Sequence, residues 1–578
     1  MLKPRWNQWL DNFGLRVSGL DALPQLSMLA IPVGLLSGAV IIAFRLLVES
    51  WQGLLLPGGD IENYEGLAVA LRLLFPLLGG LVIGLIWQFL QPSCRETGVV
   101  HVMERLAYHQ GKLPWRNAVA QFFGAALSII SGHSVGREGP SVHLGATSGS
   151  LLGQWLRLPN NSLRTLVACG IAAAISASFN TPLAGVIFSM EVVMMEYSVV
   201  SFAPVILSAV TATTLTRLVF GSERVFSIPG MQLESLLELP YVIIMGITLG
   251  CIAALFIHLL QRSTSVSKDW PIWIRCTLGG GIVGLIGMAV PEVMGIGYDT
   301  VNEALLGQLA LSVLLIVTVA KIIASAAGLG LGLPGGLIGP TIVIGALAGG
   351  ATGIIADTWL PGEIASPAFY ALIGMCTMMG ATLQAPLAAL TALLELTANP
   401  HIILPGMLAV IAGVLVSREV FGKESVYLVL MKARGLDYHD TPITQALRRI
   451  GVASVMEKRY ESLAETVDHQ QALDALANEP RWILITRERQ PRAIMPAADL
   501  ARELQEHPQE TACALLEIPA ERRDITAVDF QATLQEALEI LNANDAEALY
   551  VTRHTVPGIS RVYGILTRED IDRSYSVN

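Results

Sequence analysis

The chain has 578 residues, of which 53% are hydrophobic and only 15% charged, with a formal net charge of −10 and a mean hydropathy of +0.56. So little charge excludes a soluble globular domain of this length and indicates a polytopic membrane protein. The acidic balance argues against nucleic acid as a partner.

In chain order, apolar runs of about 20 residues open at Met28–Val48, Gly66–Leu90, Val199–Val219, Leu239–Leu260 and Leu309–Ala327, each long enough to span hydrocarbon as a helix. Between them lie Asn117–Ile130, Leu183–Met195 and Leu337–Ala348, which are expected to be too short to span alone. Short or Gly/Pro-interrupted segments point to broken helices around a binding site. The first run is preceded by about 28 residues that include Lys3, Arg5 and Arg16, and no small-residue cleavage site follows it. It therefore reads as a span and not as a secretory signal, with residues 1–28 on the cytoplasmic side. Cys94, Cys169, Cys251, Cys276, Cys376 and Cys513 show neither metal-ligand spacing nor a disulfide framework and read as free thiols.

The most informative stretch is Gly136-Arg137-Glu138-Gly139-Pro140. A charge at membrane depth costs ~2.5–3.5 kcal/mol on insertion scales, and one that is kept there marks a water-filled pathway or a partner. Two glycines and a proline break one helix and start another near Glu138. A helix N-terminus presents free N–H groups and the positive end of its dipole, which is an anion site. These residues point to a protein that moves an anion.

The chain then repeats itself. Phe179-Asn180-Thr181-Pro182-Leu183-Ala184 is followed nine residues after its proline by Glu191, and Leu383-Gln384-Ala385-Pro386-Leu387-Ala388 is followed nine residues after its proline by Glu395. A Gly-rich breaker ending in proline precedes each, at Gly136–Pro140 and at Gly335–Pro340. Matching breakers in two halves are the footprint of structural repeats with a site at their interface. After Met431-Lys432-Ala433-Arg434-Gly435, which has the cations and glycine of a helix end, charge rises to soluble density. Trp482–Thr486 and Ala548–Thr552 read there as buried strands, and Leu473–Ala477 and Thr533–Leu541 as helices. The expected division is 1–28, a membrane part over 29–435, and a soluble α/β tail over 436–578.

These motifs resemble the CLC family of chloride channels and proton-coupled chloride transporters, from about residue 30 to the C-terminus. Its Gly-Lys/Arg-Glu-Gly-Pro motif stands at 136–140. Gly336-Leu337-Ile338-Gly339-Pro340 matches Gly-x-Phe-x-Pro with isoleucine for phenylalanine. Glu96-Thr97-Gly98-Val99-Val100 is the weakest match, to Gly-Ser-Gly-Ile-Pro, and Gly422-Lys423-x-x-x-Tyr427 resembles the segment ending in an anion-coordinating tyrosine. The resemblance implies a polytopic α-helical fold of two inverted repeats with broken helices, assembled as a homodimer in the bacterial inner membrane, with the N-terminus and tail cytoplasmic. It implies chloride as the transported ion, bound by Thr97, Gly98, Gly139, Leu337, Ile338 and Tyr427, and Glu138 as a gate that competes with the anion for the same donors. Thr97 in place of the proline of nitrate-preferring relatives suggests chloride. Arg137 is expected as a structural ion-pair partner, and Glu191 as structural, matching Glu395.

Exchangers of the family often relay protons through a glutamate at the position of Val192. Valine carries no proton, which favours a passive channel, with a proton-coupled antiporter using another route as the alternative. Glu96, His101 and His133 lie near the anion motifs as substitute carriers, although each reads first as a satisfied or water-facing polar residue. The tail resembles a CBS pair. In such modules a hydroxyl and a carboxylate three residues later hold the ribose of an adenine nucleotide, which Thr567 and Asp570 fit, whereas Pro496-Ala497-Ala498-Asp499 in the first module lacks the hydroxyl. No other cofactor is expected. A CBS-regulated cation channel is the more distant alternative, but it needs pore carboxylates or carbonyl rings. An intramembrane enzyme would need a nucleophile with its base or a metal cluster, and no HExxH-like constellation appears. A fluoride exporter would lack the hydroxyl and the tyrosine.

Overall fold

The structure is a computed structural model describing residues 14, 17–19, 22–197, 199–222, 226, 233–359, 364–436, 441–488, 490–508, 512–556 and 559–576. Lys3, Arg5 and Arg16 lie outside the described residues. The chain divides into two units: Met1–Gln25, Gly153–Leu163 and His439–Asn578 form one, Leu26–Leu152 and Arg164–Tyr438 the other.

The first half of the membrane unit runs α1 (Leu23–Leu55), α2 (Val69–Phe89), α3 (Gly98–Tyr108), α4 (Trp115–Ile130), α5 (Glu138–Trp155), α6 (Asn160–Phe179), α7 (Pro182–Phe188, continued by a π turn over Ser189–Met194) and α8 (Val199–Phe220). The second half runs α9 (Leu239–Val266), α10 (Ile272–Ala289), α11 (Tyr298–Leu305), α12 (Leu311–Gly330), α13 (Ile338–Trp359), α14 (Pro367–Leu383), α15 (Pro386–Thr397), α16 (Ile403–Leu415) and α17 (Val426–Ala433). Among the described residues, nine helical segments are long and apolar enough to cross a membrane.

Three of those segments, Asn160–Phe179, Ile272–Ala289 and Pro400–Val420, are missing from the apolar runs read in the sequence. The first is rich in Ala and Ser because protein, and not lipid, surrounds nearly all of it. The segment 337–348 also needs correction, since it belongs to a helix of 22 residues that is itself long enough to span. Its glycines dilute the hydropathy signal, but they are required by packing. A Cβ on Gly349 would collide with the Tyr370 carbonyl oxygen of α14, and one on Gly345 with that of Gly374.

The two repeats meet at their breakers. Gly136 N–H donates to Gly336 O at 2.8 Å and Gly336 N–H donates back to Gly136 O at 2.7 Å. This is a two-residue antiparallel bridge between otherwise helical halves. Only glycine allows so close an approach, as a Cβ on Gly336 would lie 2.5 Å from the Gly139 nitrogen. The second breaker repeats just as faithfully. Asn180 and Gln384 both turn left-handed, with φ of 60° and 56°, and Thr181 and Ala385 follow at φ/ψ of −124/82° and −131/76°. Proline then opens α7 and α15 at N1, where its missing N–H costs nothing.

Glu191 and Glu395 complete this symmetry. Glu191 accepts the N–H groups of Leu387 and Ala388 at 3.2 and 2.6 Å, and Glu395 accepts those of Leu183 and Ala184 at 2.9 and 2.7 Å. Each carboxylate satisfies orphan donors at the start of the helix in the other repeat.

The tail repeats a β-α-β-β-α module. In the first module, β1 (Tyr460–Ala464) pairs parallel with β3 (Trp482–Arg487), which pairs antiparallel with β4 (Gln490–Pro496). In the second, β6 (Arg523–Asp529) pairs parallel with β7 (Ala548–Val556), which pairs antiparallel with β8 (Ile559–Thr567). β4 and β6 join the modules into one six-stranded sheet, order β1-β3-β4-β6-β7-β8, while β2 (Thr466–Asp468) and β5 (Ala512–Ala514) form a separate pair. Helices Leu534–Asn544 and Arg568–Ser576 flank the second module. Leu534, Leu541, Leu549, Leu566 and Ile571 fill its core, and Ile483, Ile485, Met495 and Leu500 fill that of the first.

Candidate anion pathway

Glu138 is the first residue of α5, and its side chain is fully buried. The carboxylate lies between the two breakers: Gly339 N–H donates to Oε2 at 3.1 Å, and the Tyr298 hydroxyl donates to Oε1. It fills space that a Cβ on Gly136 would occupy. An anionic group therefore sits on the starts of two broken helices, α5 and α13, as the sequence implies for an anion site.

Arg137 turns away from this point. Its Nη1 lies 4.0 Å from Glu49 Oε1, its Nη2 donates to Ser178 O at 3.3 Å, and its guanidinium stands 5.5 Å from the Tyr298 ring centroid. These contacts fit a structural cation.

Thr97, Gly98, Gly139, Leu337 and Tyr427 line one vestibule of about 790 Å³, together with Gln121. Thr97 is the N-cap of α3 yet makes no side-chain cap bond, so its own helix does not consume its hydroxyl. The Tyr427 hydroxyl and the Gln121 side-chain nitrogen are both buried and have no partner among the described residues. Two orphan donors facing one cavity are what an anion would satisfy. Ile338 opens α13, while its side chain lines a neighbouring apolar cavity with Phe179, Ile342 and Met379. It is not among the residues that line the vestibule, so the structure does not bring Ile338 together with the other expected anion ligands.

Gly98 departs from expectation. Its N–H donates to Gln121 Oε1 at 2.6 Å, which takes it out of the set of free donors. The carboxamide that takes this N–H carries the orphan NH₂ and can serve the vestibule in its place.

Val192 is buried in the π turn after α7, beside the Glu191 clasp. His101 Nδ1 meets His143 Nε2 at 2.9 Å, and both ring nitrogens of His133 face backbone carbonyls, Ser128 O and Pro76 O, at 2.9 Å. Glu96 is ion-paired with Arg434. In the tail, Thr567 Oγ1 donates to Asp570 Oδ2 at 2.7 Å, and Thr567 N–H reaches the same oxygen at 3.1 Å. Asp570 thus already closes the first turn of the last helix. In the first module Asp499 accepts from Arg502 Nη2 at 2.9 Å and from Glu521 N–H at 3.2 Å.

Sequence reasoning missed Tyr298, Gly339 and Gln121. Gln121 was visible as a polar residue inside the apolar run 117–130, and Tyr298 as the residue after the Gly295-Ile296-Gly297 turn. Nothing local showed where either pointed.

Comparison with known proteins gives the family. A family model described as voltage gated chloride channel matches residues 79–418. The chain is 35% identical over 411 residues to a putative chloride channel protein ClcB-like of Ralstonia nicotianae, covering 69% of this chain and 95% of that one. It is 30% identical over 341 residues to the H(+)/Cl(-) exchange transporter ClcA of Vibrio cholerae, covering 57% and 73%. Among solved structures it resembles a slow cyanobacterial Cl-/H+ antiporter, with a TM-score of 0.62, 24% identity and coverage of 71% and 98%. A eukaryotic CLC transporter aligns at a TM-score of 0.60 and 20% identity over 95% of this chain and 98% of its own. The two-module tail fits a CBS pair, and the chain is a multi-pass membrane protein belonging to the voltage gated chloride channel (CLC) family of anion-transport proteins.

Proposed function

We propose that the protein conducts chloride through the vestibule and past Glu138, whose carboxylate blocks the pathway when ionised and leaves it when protonated. The observation that carries this reading is the carboxylate's position. It takes the Gly339 N–H and the Tyr298 hydroxyl at the junction of two helix starts, where an anion would need the same donors. Neutral donors of this kind replace a hydration shell without trapping the ion as a fixed cation would.

Val192 supports passive conduction, because no carboxylate stands at the position from which exchangers of the family often relay protons. Proton-coupled exchange is the second reading, favoured by the buried His101–His143 pair, which joins α3 to the Glu138 helix, and by relatives named as exchangers. Reconstituted vesicles recorded for chloride and protons together decide between them. Reversal at the chloride equilibrium potential regardless of a pH gradient identifies a channel, and uphill proton movement driven by chloride identifies an exchanger. The proposed assembly is a homodimer in the inner membrane with a pathway in each subunit and a cytoplasmic tail.

Tyr427→Phe is expected to lower bromide occupancy of the vestibule while leaving the fold intact, since it deletes an orphan hydroxyl and no hydrogen bond. A hydrogen bond to a charged partner contributes about 1.5–3 kcal/mol, so affinity should fall on the order of tenfold to a hundredfold. Unchanged bromide density in a crystal of the variant would remove Tyr427 from the ligand set.

For the tail we propose one adenine-nucleotide site, with Asp570 accepting the ribose hydroxyls beside Thr567. Asp570 also caps its helix, so Asp570→Asn is the cleaner test, as it keeps one acceptor and removes the charge. Binding of ATP, ADP or AMP to the full-length protein should weaken by roughly tenfold. Calorimetry that detects no binding of any adenine nucleotide to the unaltered protein would leave the tail a structural role alone.

A further inference from the structure

We propose that Tyr298 is the latch of the pathway: its hydroxyl holds the Glu138 carboxylate in place, and it donates to the anion that takes the carboxylate's position once Glu138 leaves. This rests on Glu138 being the gate and extends that reading to a residue outside the matched motifs. Tyr298 opens α11, and its hydroxyl is in hydrogen-bond contact with Glu138 Oε1. A halide at the vacated position would meet the same donor.

Tyr298 is held from several sides. The backbone N–H of Tyr298 donates to Glu62 Oε2 at 3.0 Å. The turn before it bends through Gly297 at a φ of 88°. That turn is pinned by Lys321, fully buried on α12, whose Nζ donates to the carbonyls of Val293, Gly295 and Ile296 at 3.0, 3.2 and 3.1 Å. The ring stands edge-on to Phe226 at 5.3 Å between centroids, with the Arg137 guanidinium over it. A buried lysine spent on three carbonyls is expensive to keep. Here it fixes the segment that aims one phenol at one carboxylate, the supporting shell that a preorganised donor requires.

The groups that set local charge around this contact are Arg137, Glu62 and the Tyr427 hydroxyl, with Asp299 next in α11, Lys321 on α12 and Glu49 against Arg137. All of them stay in place when only the Tyr298 hydroxyl is altered. A phenol donating to the ionised carboxylate favours the seated form. Its loss should let the protonated, departed form appear at higher pH.

The test is anion flux from vesicles as a function of pH. In Tyr298→Phe the pH of half-maximal flux should rise by about one to two units, the shift expected from losing a hydrogen bond to a charged group. Replacing Tyr298 by 3-fluorotyrosine, a stronger donor of nearly unchanged shape, should move it the other way, and this arm decides the matter if the Phe variant does not fold. In a Glu138→Gln background, Tyr298→Phe should leave the pH profile flat. A half-maximal pH unmoved by either replacement, while Glu138→Gln alone abolishes pH dependence, would overturn the latch and leave the gate standing. Persistent pH dependence in Glu138→Gln would overturn the gate, and the latch with it.

Discussion

Vesicles containing Glu138→Gln are expected to pass chloride at neutral pH at least about tenfold faster than those with the unaltered protein, and at a rate that no longer varies with pH. The carboxylate occupies the Gly339 N–H and the Tyr298 hydroxyl, and its charge makes both bonds strong. Glutamine keeps the length and one acceptor but loses the charge, and hydrogen bonds to ionised groups contribute about 1.5–3 kcal/mol against about 1 for neutral ones. A difference of that size shifts the balance between seated and departed side chain by roughly tenfold or more. The sign follows from ionisation. On the proposed reading, the ionised carboxylate blocks the unaltered protein, and the block is lifted when it takes a proton. Glutamine cannot titrate, so the variant resembles the acid state at every pH. Any chloride-driven proton movement should vanish in the same vesicles. If the variant retained the original pH profile, some other group would be the gate.

Much of this site was legible in the sequence because helix breakers are local signals. Gly136–Pro140 and Gly335–Pro340 interrupt the apolar pattern wherever they sit, and their recurrence in both halves told where the repeats would meet. The partners of those breakers were not legible. Tyr298 lies 160 residues from Glu138, in a segment whose own pattern describes only a glycine turn and a short polar helix. The engagement of the Gly98 N–H by Gln121 likewise depends on how α3 and α4 lie together, so a motif residue expected to face the anion turned out to be occupied. The missed span Asn160–Phe179 has another cause. Hydropathy detects helices that face lipid, and Asn160–Phe179 faces protein, so it carries the small residues of a helix–helix contact instead. The tail's strands were visible because buried strands concentrate Ile, Leu and Val, as at Trp482–Ile485, and the resemblance implied two modules, while which strand pairs with which came only from the register.

Glu191 and Glu395 should prove equivalent in stability even though only one of them stands beside the missing proton position. Proline at N1 leaves the next N–H groups of α7 and α15 without intrahelical acceptors, and in each case the carboxylate of the opposite repeat accepts two of them. These bonds are charge-assisted but only partly buried, so the loss on Glu191→Ala or Glu395→Ala should be about 2–3 kcal/mol, discounted from the sum of two such bonds for solvent screening. The two variants should fall by similar amounts, because the backbone bonds are repeated to within a few tenths of an ångström, although Glu191 also accepts from the Tyr197 hydroxyl and Glu395 faces Arg217. The double variant should lose less than the sum, since both clasps join the same pair of helices and the second holds less once the first is gone. Thermal unfolding in detergent measures all three. The comparison also bears on the proton question. If Glu191→Ala left stability unchanged but altered proton movement while Glu395→Ala did neither, Glu191 would be a carrier beside Val192 and not a clasp. Equal destabilisation with unaltered ion selectivity would assign both carboxylates to holding the repeats together.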